Sequence, residues 1–347
     1  MTVDYIIVGL GLAGIAFAEE LKRQAKTFIV FEDQSQTSSL VAGGMYNPVI
    51  LKRFTPVWNA KEQLEVALPF YASLEKDFNK EYDKPIDIYR IFKSIEEQNN
   101  WFIASDHPAL RDFMLPEIAE ISSNCIKAPF KLGQLTKTGR IMVRDLVSDY
   151  RDRLKKEALL IDQTFRHELI ITWDSYLEYK NIKADKVVFC EGNGVKANPY
   201  FNKLPLTGTK GELITIHAPE LRINEIIKSA IFIMPMGEDL YKIGATFNWS
   251  DKTNRPTEEG RLELETKLKS VLTCSYSIVD HEAGVRPTTG DRRPLLGVHK
   301  DNRRLAILNG MGTRGVMIAP LMAKKLYRFL EEGIELDKEI NITRFKQ

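Results

Sequence analysis

The chain has 347 residues, enough for a sizeable core and, on the usual domain length, for two domains. Hydrophobic residues make up 44% and charged residues 28%, and 49 Lys and Arg against 47 Asp and Glu leave a net charge of only +2. That balance excludes a globally basic nucleic-acid or membrane-surface protein, although a local basic patch stays open.

The chain opens on a strand, a turn and a helix. Tyr5–Val8 reads as a buried parallel strand, Gly9-Leu10-Gly11-Leu12-Ala13-Gly14 as a tight turn, and the residues that follow as a helix. Thr27–Phe31 reads as a second strand, and Glu32 stands 18 residues beyond Gly14. In this order the glycines admit a pyrophosphate at a helix N-terminus, and the acid accepts hydrogen bonds from ribose hydroxyls. An adenine dinucleotide site is expected here, with NAD and FAD both open. Asp4 interrupts the N-terminal apolar run, so no signal peptide is expected, and no stretch nears the roughly 18 apolar residues of a membrane span. Cys125, Cys190 and Cys274 form no CxxC pair, zinc spacing or disulfide framework. A reducing, cytoplasmic location is expected.

Beyond a polar loop, Val41-Ala42-Gly43-Gly44-Met45-Tyr46-Asn47-Pro48 reads as irregular chain. Val57–Phe78 has helical spacing, with Pro69 expected to bend or divide it. Ile86–Phe92 reads as a strand, and Ser94–Ser105 as a helix capped by Ser94. Val143–Glu157 is amphipathic, with Val143, Leu146, Val147, Tyr150 and Leu154 on one face. Leu159–Ile161, Glu168–Thr172 and Lys186–Glu191 read as strands, the last running into Gly192-Asn193-Gly194. Gly211–Ile216, Ile231–Met234 and Leu240–Ala245 follow as strands, and Glu258–Leu272 as a helix. The tail holds a strand at Leu305–Leu308, the loop Gly310-Met311-Gly312-Thr313-Arg314-Gly315, and a helix over Val316–Leu330.

Glycine turns therefore occur at the start, middle and end of the chain, with a strand-rich set between the last two. Gly192-x-Gly194 is either a ligand-facing sheet edge or a plain strand-ending turn. Gly310-x-Gly312-x-x-Gly315 again opens a helix, whose N–H groups can stabilise the charge of a reduced flavin edge. A long, two-ended cofactor accounts for two such turns, so FAD is favoured over NAD.

Three blocks carry a resemblance: Gly9–Glu32, Ala283-Gly284-Val285-Arg286-Pro287 through Asp291 to Gly297, and Asn309–Pro320. In order and spacing they are similar to the D-amino-acid oxidase, glycine oxidase and sarcosine oxidase superfamily of FAD-dependent amine oxidoreductases. Met311–Gly315 and Gly244-Ala245-Thr246-Phe247 further resemble the oxidase half of bifunctional tRNA-modifying enzymes of the MnmC type. The resemblance implies an α/β protein. Its Rossmann-type FAD domain is built from residues 1–85, 140–205 and 284–347. A second, α+β substrate domain carrying an antiparallel sheet comes from 86–139 and 206–283.

The resemblance also implies a chemistry: hydride transfer from the carbon beside an amine to flavin, with non-covalent FAD held by the protein. The implied cofactor contacts are Gly9, Leu10, Gly11, Leu12, Ala13, Gly14, Glu32, Asp33, Gly43, Gly44, Met45, Phe165, Gly192, Asn193, Gly194, Gly310, Met311, Gly312, Thr313, Arg314 and Gly315. Arg286, in the G-x-R-P position, is expected to clamp a substrate carboxylate; a surface Arg or a partner of Asp291 is the alternative. Arg314 either contacts flavin or substrate or holds its loop, and Tyr46 either closes the pocket or packs in the loop. Lys242 either lies against the flavin or is an ordinary strand lysine. His281 and Glu282 stand near enough to Arg286 to reach the pocket, or form a half-exposed pair.

The implied substrate is an amino acid or N-substituted glycine. A modified tRNA wobble uridine is the alternative, with Lys52-Arg53, Arg292-Arg293 and Arg303-Arg304 available for a basic face. A non-catalytic flavin-binding protein is a third possibility. The electron acceptor is oxygen or another carrier.

Overall fold

The structure is a computed structural model that describes residues 1–345. Thr2–Val8 is buried from Tyr5 onward and pairs in parallel with Phe28–Phe31 on one side and Ile182–Phe189 on the other. Leu160–Ile161 extends the sheet beyond Phe28–Phe31, and Leu305–Asn309 adds a further parallel strand beside Val187–Phe189. Strands this apolar need cover on both faces. The helices Leu12–Arg23 and Gly315–Glu331 pack together against one face, with Ala60–Phe78 against the latter. This is a Rossmann-type arrangement, drawn from the beginning, middle and end of the chain.

The second large sheet runs in the order Ser277–Thr289, Leu206–His217, Leu240–Gly244, Phe232–Gly237, Ile226–Lys228, Ile88–Ile91, Leu132–Leu135 and Met114–Ala119. It is antiparallel except where Ile226–Lys228 meets Ile88–Ile91. One face packs Ile214, Ile216, Ile227, Ile233 and Ile243 against the helix Glu258–Lys269 through Leu264 and Leu268. The other face turns toward the Rossmann sheet. Ser277–Thr289 is one continuous strand, so a domain boundary at 283/284 falls inside it.

Several sequence expectations change. Pro69 lies inside an unbroken helix, Ala60–Phe78, whose face of Ala67, Phe70, Tyr71 and Leu74 is buried. That packing, with the Tyr71 hydroxyl donating to Val316 O at 2.9 Å, outweighs the missing N–H. Ser94 does cap its helix, accepting from Glu97 N at 3.1 Å. Met114–Ala119, Leu132–Leu135, Gly139–Ile141, Leu177–Tyr179, Ile226–Lys228 and Leu295–Val298 are strands that the pattern of residues did not single out. Among the described residues no helix is long and apolar enough to cross a membrane, and no cluster of His, Cys, Asp or Glu is arranged to hold a metal.

Candidate active site

Between the two sheets lies a cavity of about 550 Å³. Its floor is the first glycine turn. A Cβ on Gly9 would stand 2.6 Å from Cys190 O, and one on Gly14 2.0 Å from Gly9 O. Side chains are thus excluded where the first strand, the turn and the helix converge. The helix Leu12–Arg23 begins with no side-chain cap, and the Leu12 N–H reaches only Ser39 Oγ, at 3.3 Å. Its N-terminal amides face the cavity and suit an anion. Glu32 lies beside them, accepting from Leu10 N and from Gln34 N at 2.6 Å. Burial raises its pKa, partly offset by those two donors. Asp33 accepts from Ser35 N at 3.0 Å and from the Thr164 hydroxyl at 2.9 Å. A cradle bare of side chains, followed by a carboxylate at ribose distance along the chain, fits the adenosine diphosphate half of FAD.

The opposite wall is the second sheet. Lys228, Phe232, Gly244, Leu213 and Glu282 occupy successive register positions on adjacent strands, and so lie on one face. Gly211 and Gly284 are paired one step further along that face, and Arg286 follows Gly284 by two residues. Lys228, Phe232, Leu213, Gly211, Gly284 and Arg286 line the cavity. The Arg286 guanidinium crosses directly over the Gly211 backbone, where a Cβ would come within 1.9 Å of Nη2. It stacks 4.7 Å from the Phe247 ring centroid and donates to Thr246 O at 3.3 Å. No carboxylate partners it among the described residues. Enclosure lowers its pKa to about 10, which leaves it cationic at neutral pH.

The C-terminal loop closes the third side. Met311, Gly312, Thr313, Arg314 and Gly315 are on the wall, and Gly312 N donates to Pro287 O at 3.0 Å, tying this loop to the Arg286 strand. Burial, and then the neighbouring Arg292, lower the pKa of Arg314. Gly43, Gly44 and Met45 supply the remaining edge, Gly43 lying against Met234 and Phe232.

Of the residues singled out in the sequence, Gly9, Leu10, Gly11, Leu12, Ala13, Glu32, Asp33, Gly43, Gly44, Met45, Phe165, Gly192, Gly194, Met311, Gly312, Thr313, Arg314, Gly315 and Arg286 line this one cavity. Gly14, Asn193 and Gly310 are not on its wall. Gly14 lies beneath the turn, Asn193 packs its side-chain oxygen against Gly208, and Gly310 abuts Thr289 and Leu295. Tyr46 is turned away as well. It is buried, and its hydroxyl donates to Asp83 Oδ1 at 2.9 Å. Lys242 is off the wall too, its ammonium 2.9 Å from Glu282 Oε2, while Glu282 also meets Arg144. His281 sits 2.9 Å from Glu212 on the opposite sheet face. Asp291 pairs with Arg344 at 2.9 Å, not with Arg286.

Other wall residues carry no sequence motif. Ser39 and Gln36 come from the polar loop after Glu32, and His167 pairs with Glu191 at 2.7 Å. Phe247, the last residue of the Gly244–Phe247 motif, is also on the wall and largely exposed despite its size. Lys228 ends a short strand whose Ile-Ile-Lys pattern looks like any sheet edge.

The family model described as FAD dependent oxidoreductase, or DAO, matches residues 4–328. A tRNA 5-methylaminomethyl-2-thiouridine biosynthesis bifunctional protein, MnmC, from Marinobacter nauticus is 21% identical over 94% of this chain and 55% of its own length. Glycine oxidase from Bacillus licheniformis is 31% identical over 32% of this chain and 31% of its own. The chain thus spans about half the length of the Marinobacter relative. Among solved structures, Bacillus cereus glycine oxidase superposes with a TM-score of 0.78 at 17% identity, covering 96% of each chain. Iminodiacetate oxidase from Chelativorans superposes with a TM-score of 0.79 at 15% identity, covering 97% of this chain and 98% of that one. These likenesses show the same fold, and the family match extends over nearly the whole chain. The chain belongs to the DAO family of FAD-dependent oxidoreductases.

Proposed function

We propose that the enzyme oxidises the carbon–nitrogen bond of an amino acid or N-substituted glycine whose carboxylate is held by Arg286. The observation that carries this is the guanidinium itself: cationic, enclosed, without an acid partner among the described residues, and aimed into the cavity across Gly211. Its planar fork suits two parallel hydrogen bonds to a carboxylate. Named relatives act on such compounds, as glycine oxidase and iminodiacetate oxidase state in their names.

FAD supplies the hydride acceptor when bound. The helix N-terminus and Glu32 would hold its adenosine diphosphate, with the 43–45 and 311–315 segments beside its ring. Arg286 would fix the carboxylate and so orient the adjacent C–H bond. Phe232, Leu213 and Val316 are apolar wall residues that exclude water, which favours a neutral amine over an ammonium. The nitrogen lone pair then forms the C=N bond as the hydride leaves, and water hydrolyses the imine after release. Arg314 would stabilise negative charge at the ring edge.

The test is anaerobic flavin bleaching by glycine and N-alkyl glycines, compared with the same amines lacking a carboxylate. Only the carboxylated compounds should bleach.

Phe247 favours a second reading. It is 59% exposed on the cavity wall, a flat surface on which a nucleobase can stack. Oxidation of a carboxymethylaminomethyl group on tRNA would fit it, and the Marinobacter relative is named for a related modification. Arg303 and Arg304, however, line a different depression with Trp173, and Arg293 is engaged by Glu339. Steeply salt-dependent bleaching by tRNA, without bleaching by free amino acids, would select this second reading.

A further inference from the structure

The cavity holds one cation more than oxidation of a simple amino acid needs. On the reading above, Arg286 answers the substrate carboxylate and Arg314 the charge at the flavin edge. Lys228 then remains. It lies on the cavity wall, its ammonium 5.9 Å from the Phe232 ring centroid, and no acid or carbonyl accepts from it among the described residues. The neighbouring cation on that face, Arg90, already has a counter-ion in Glu97 at 2.5 Å and donates to Ser229 O at 2.9 Å. The acids on the cavity wall are engaged elsewhere: Glu32 by Leu10 and Gln34 amides, Asp33 by Ser35 and Thr164, Glu191 by His167 and Asn198. An enclosed ammonium with no counter-ion is costly unless a ligand supplies one.

We propose that Lys228 is a second anion-binding subsite, which receives a carboxylate at the far end of the substrate. This rests on the amine-oxidation reading and narrows it to amino acids or N-substituted glycines with two anionic ends. The register gives the spacing. The Arg286 and Lys228 strands are four steps apart in the sheet, and Arg286 lies four residues beyond Glu282, which shares the Lys228 row. With strands ~4.8 Å apart, ~3.4 Å per residue along each, and roughly 6 Å of reach for each side chain, the charges face each other across a gap on the order of 10 Å. A compact dicarboxylate such as iminodiacetate, with carboxyl carbons about 5 Å apart and each ~3.5 Å from the cation it binds, is already long enough to bridge it, and a longer flexible arm fits as well. Burial, together with Arg90 and Lys267, lowers the Lys228 pKa to about 8, so a bound anion would restore what enclosure and the two like charges take from the ammonium.

The experiment uses the FAD-loaded enzyme with matched substrates: N-carboxypropyl- and N-carboxypentyl-glycine against the uncharged N-butyl- and N-hexyl-glycine. Anaerobic reduction should favour a carboxyalkyl compound over its neutral match by about tenfold or more in rate at low substrate. That ratio should collapse in K228M and persist in K228R. Calorimetric binding of unreactive pimelate against heptanoate should show the same preference and the same loss, independently of turnover. A ratio near one in the native enzyme, or one unchanged in K228M, overturns the subsite while amine oxidation stands. So does an effect of K228M confined to reoxidation by oxygen. Failure of all four amines to bleach the flavin overturns the amine reading and the subsite with it.

Discussion

The Arg286 guanidinium lies over Gly211, with no room for a single carbon atom between them: a Cβ there would stand 1.9 Å from Nη2 and 2.1 Å from Cζ. The two residues are on adjacent strands, paired through Gly211↔Gly284 and Thr209↔Arg286. Gly211→Ala should therefore displace the guanidinium without touching the nucleotide turn. The expected result is a rise of about tenfold or more in the apparent Kd for glycine-type substrates, equivalent to ~1.4 kcal/mol. FAD retention, read by absorbance after gel filtration, should be unchanged.

Replacing the guanidinium itself separates charge from shape. Arg286→Met removes charge-assisted hydrogen bonds worth about 1.5–3 kcal/mol, so kcat/KM should fall on the order of tenfold to a hundredfold. Arg286→Lys restores the charge and loses the bidentate fork, and should recover only part of that loss. Equal kcat/KM in all three proteins would show that the carboxylate binds elsewhere.

Lys242 gives the opposite expectation. Its ammonium is 2.9 Å from Glu282 and is not on the cavity wall, so Lys242→Met should leave flavin reduction and reoxidation within about twofold. The loss should appear in stability, about 1–3 kcal/mol by denaturant titration, because a partly buried carboxylate loses one of its two cationic partners.

The two cavity cations should separate on a pH scale. Lys228, lowered to about 8 by burial, Arg90 and Lys267, is charged below that value and neutral above it. Arg286, lowered to about 10 by burial, stays charged for a further interval. Preference for a substrate with a distal carboxylate should therefore fall as pH rises through about 8, while carboxylate dependence as such persists toward about 10. The profile of kcat/KM for matched charged and uncharged substrates reads both, because it reports the free enzyme.

How much of this was legible in the sequence follows from the range of each interaction. The glycine turn, Glu32 and the C-terminal loop are local patterns, and their residues lie where a nucleotide turn and a second turn belong. Arg286 stood out because Pro287 and the downstream Asp291-Arg292-Arg293-Pro294 block frame it. Tyr46 and Lys242 were open between a pocket role and an ordinary packed or strand residue, and each turns toward a carboxylate 37 or 40 residues away, Asp83 and Glu282. Nothing local announces such partners. Lys228 was missed for the converse reason: it faces the cavity because its short strand pairs with Phe232–Gly237 and Ile88–Ile91, and that register is set by the whole sheet. Cys125 and Cys274 are another case, far apart in the chain but neighbours through the bridge Ile126↔Leu272.

The most direct measurement is anaerobic titration of the FAD-loaded protein with an N-substituted glycine, set against the corresponding amine without its carboxylate. Stoichiometric bleaching of the flavin by the former alone, lost in Arg286→Met with FAD still bound, is the expected result. Equal bleaching by the carboxylate-free amine, or none by any amino acid while FAD is retained, would contradict carboxylate-directed amine oxidation at this site.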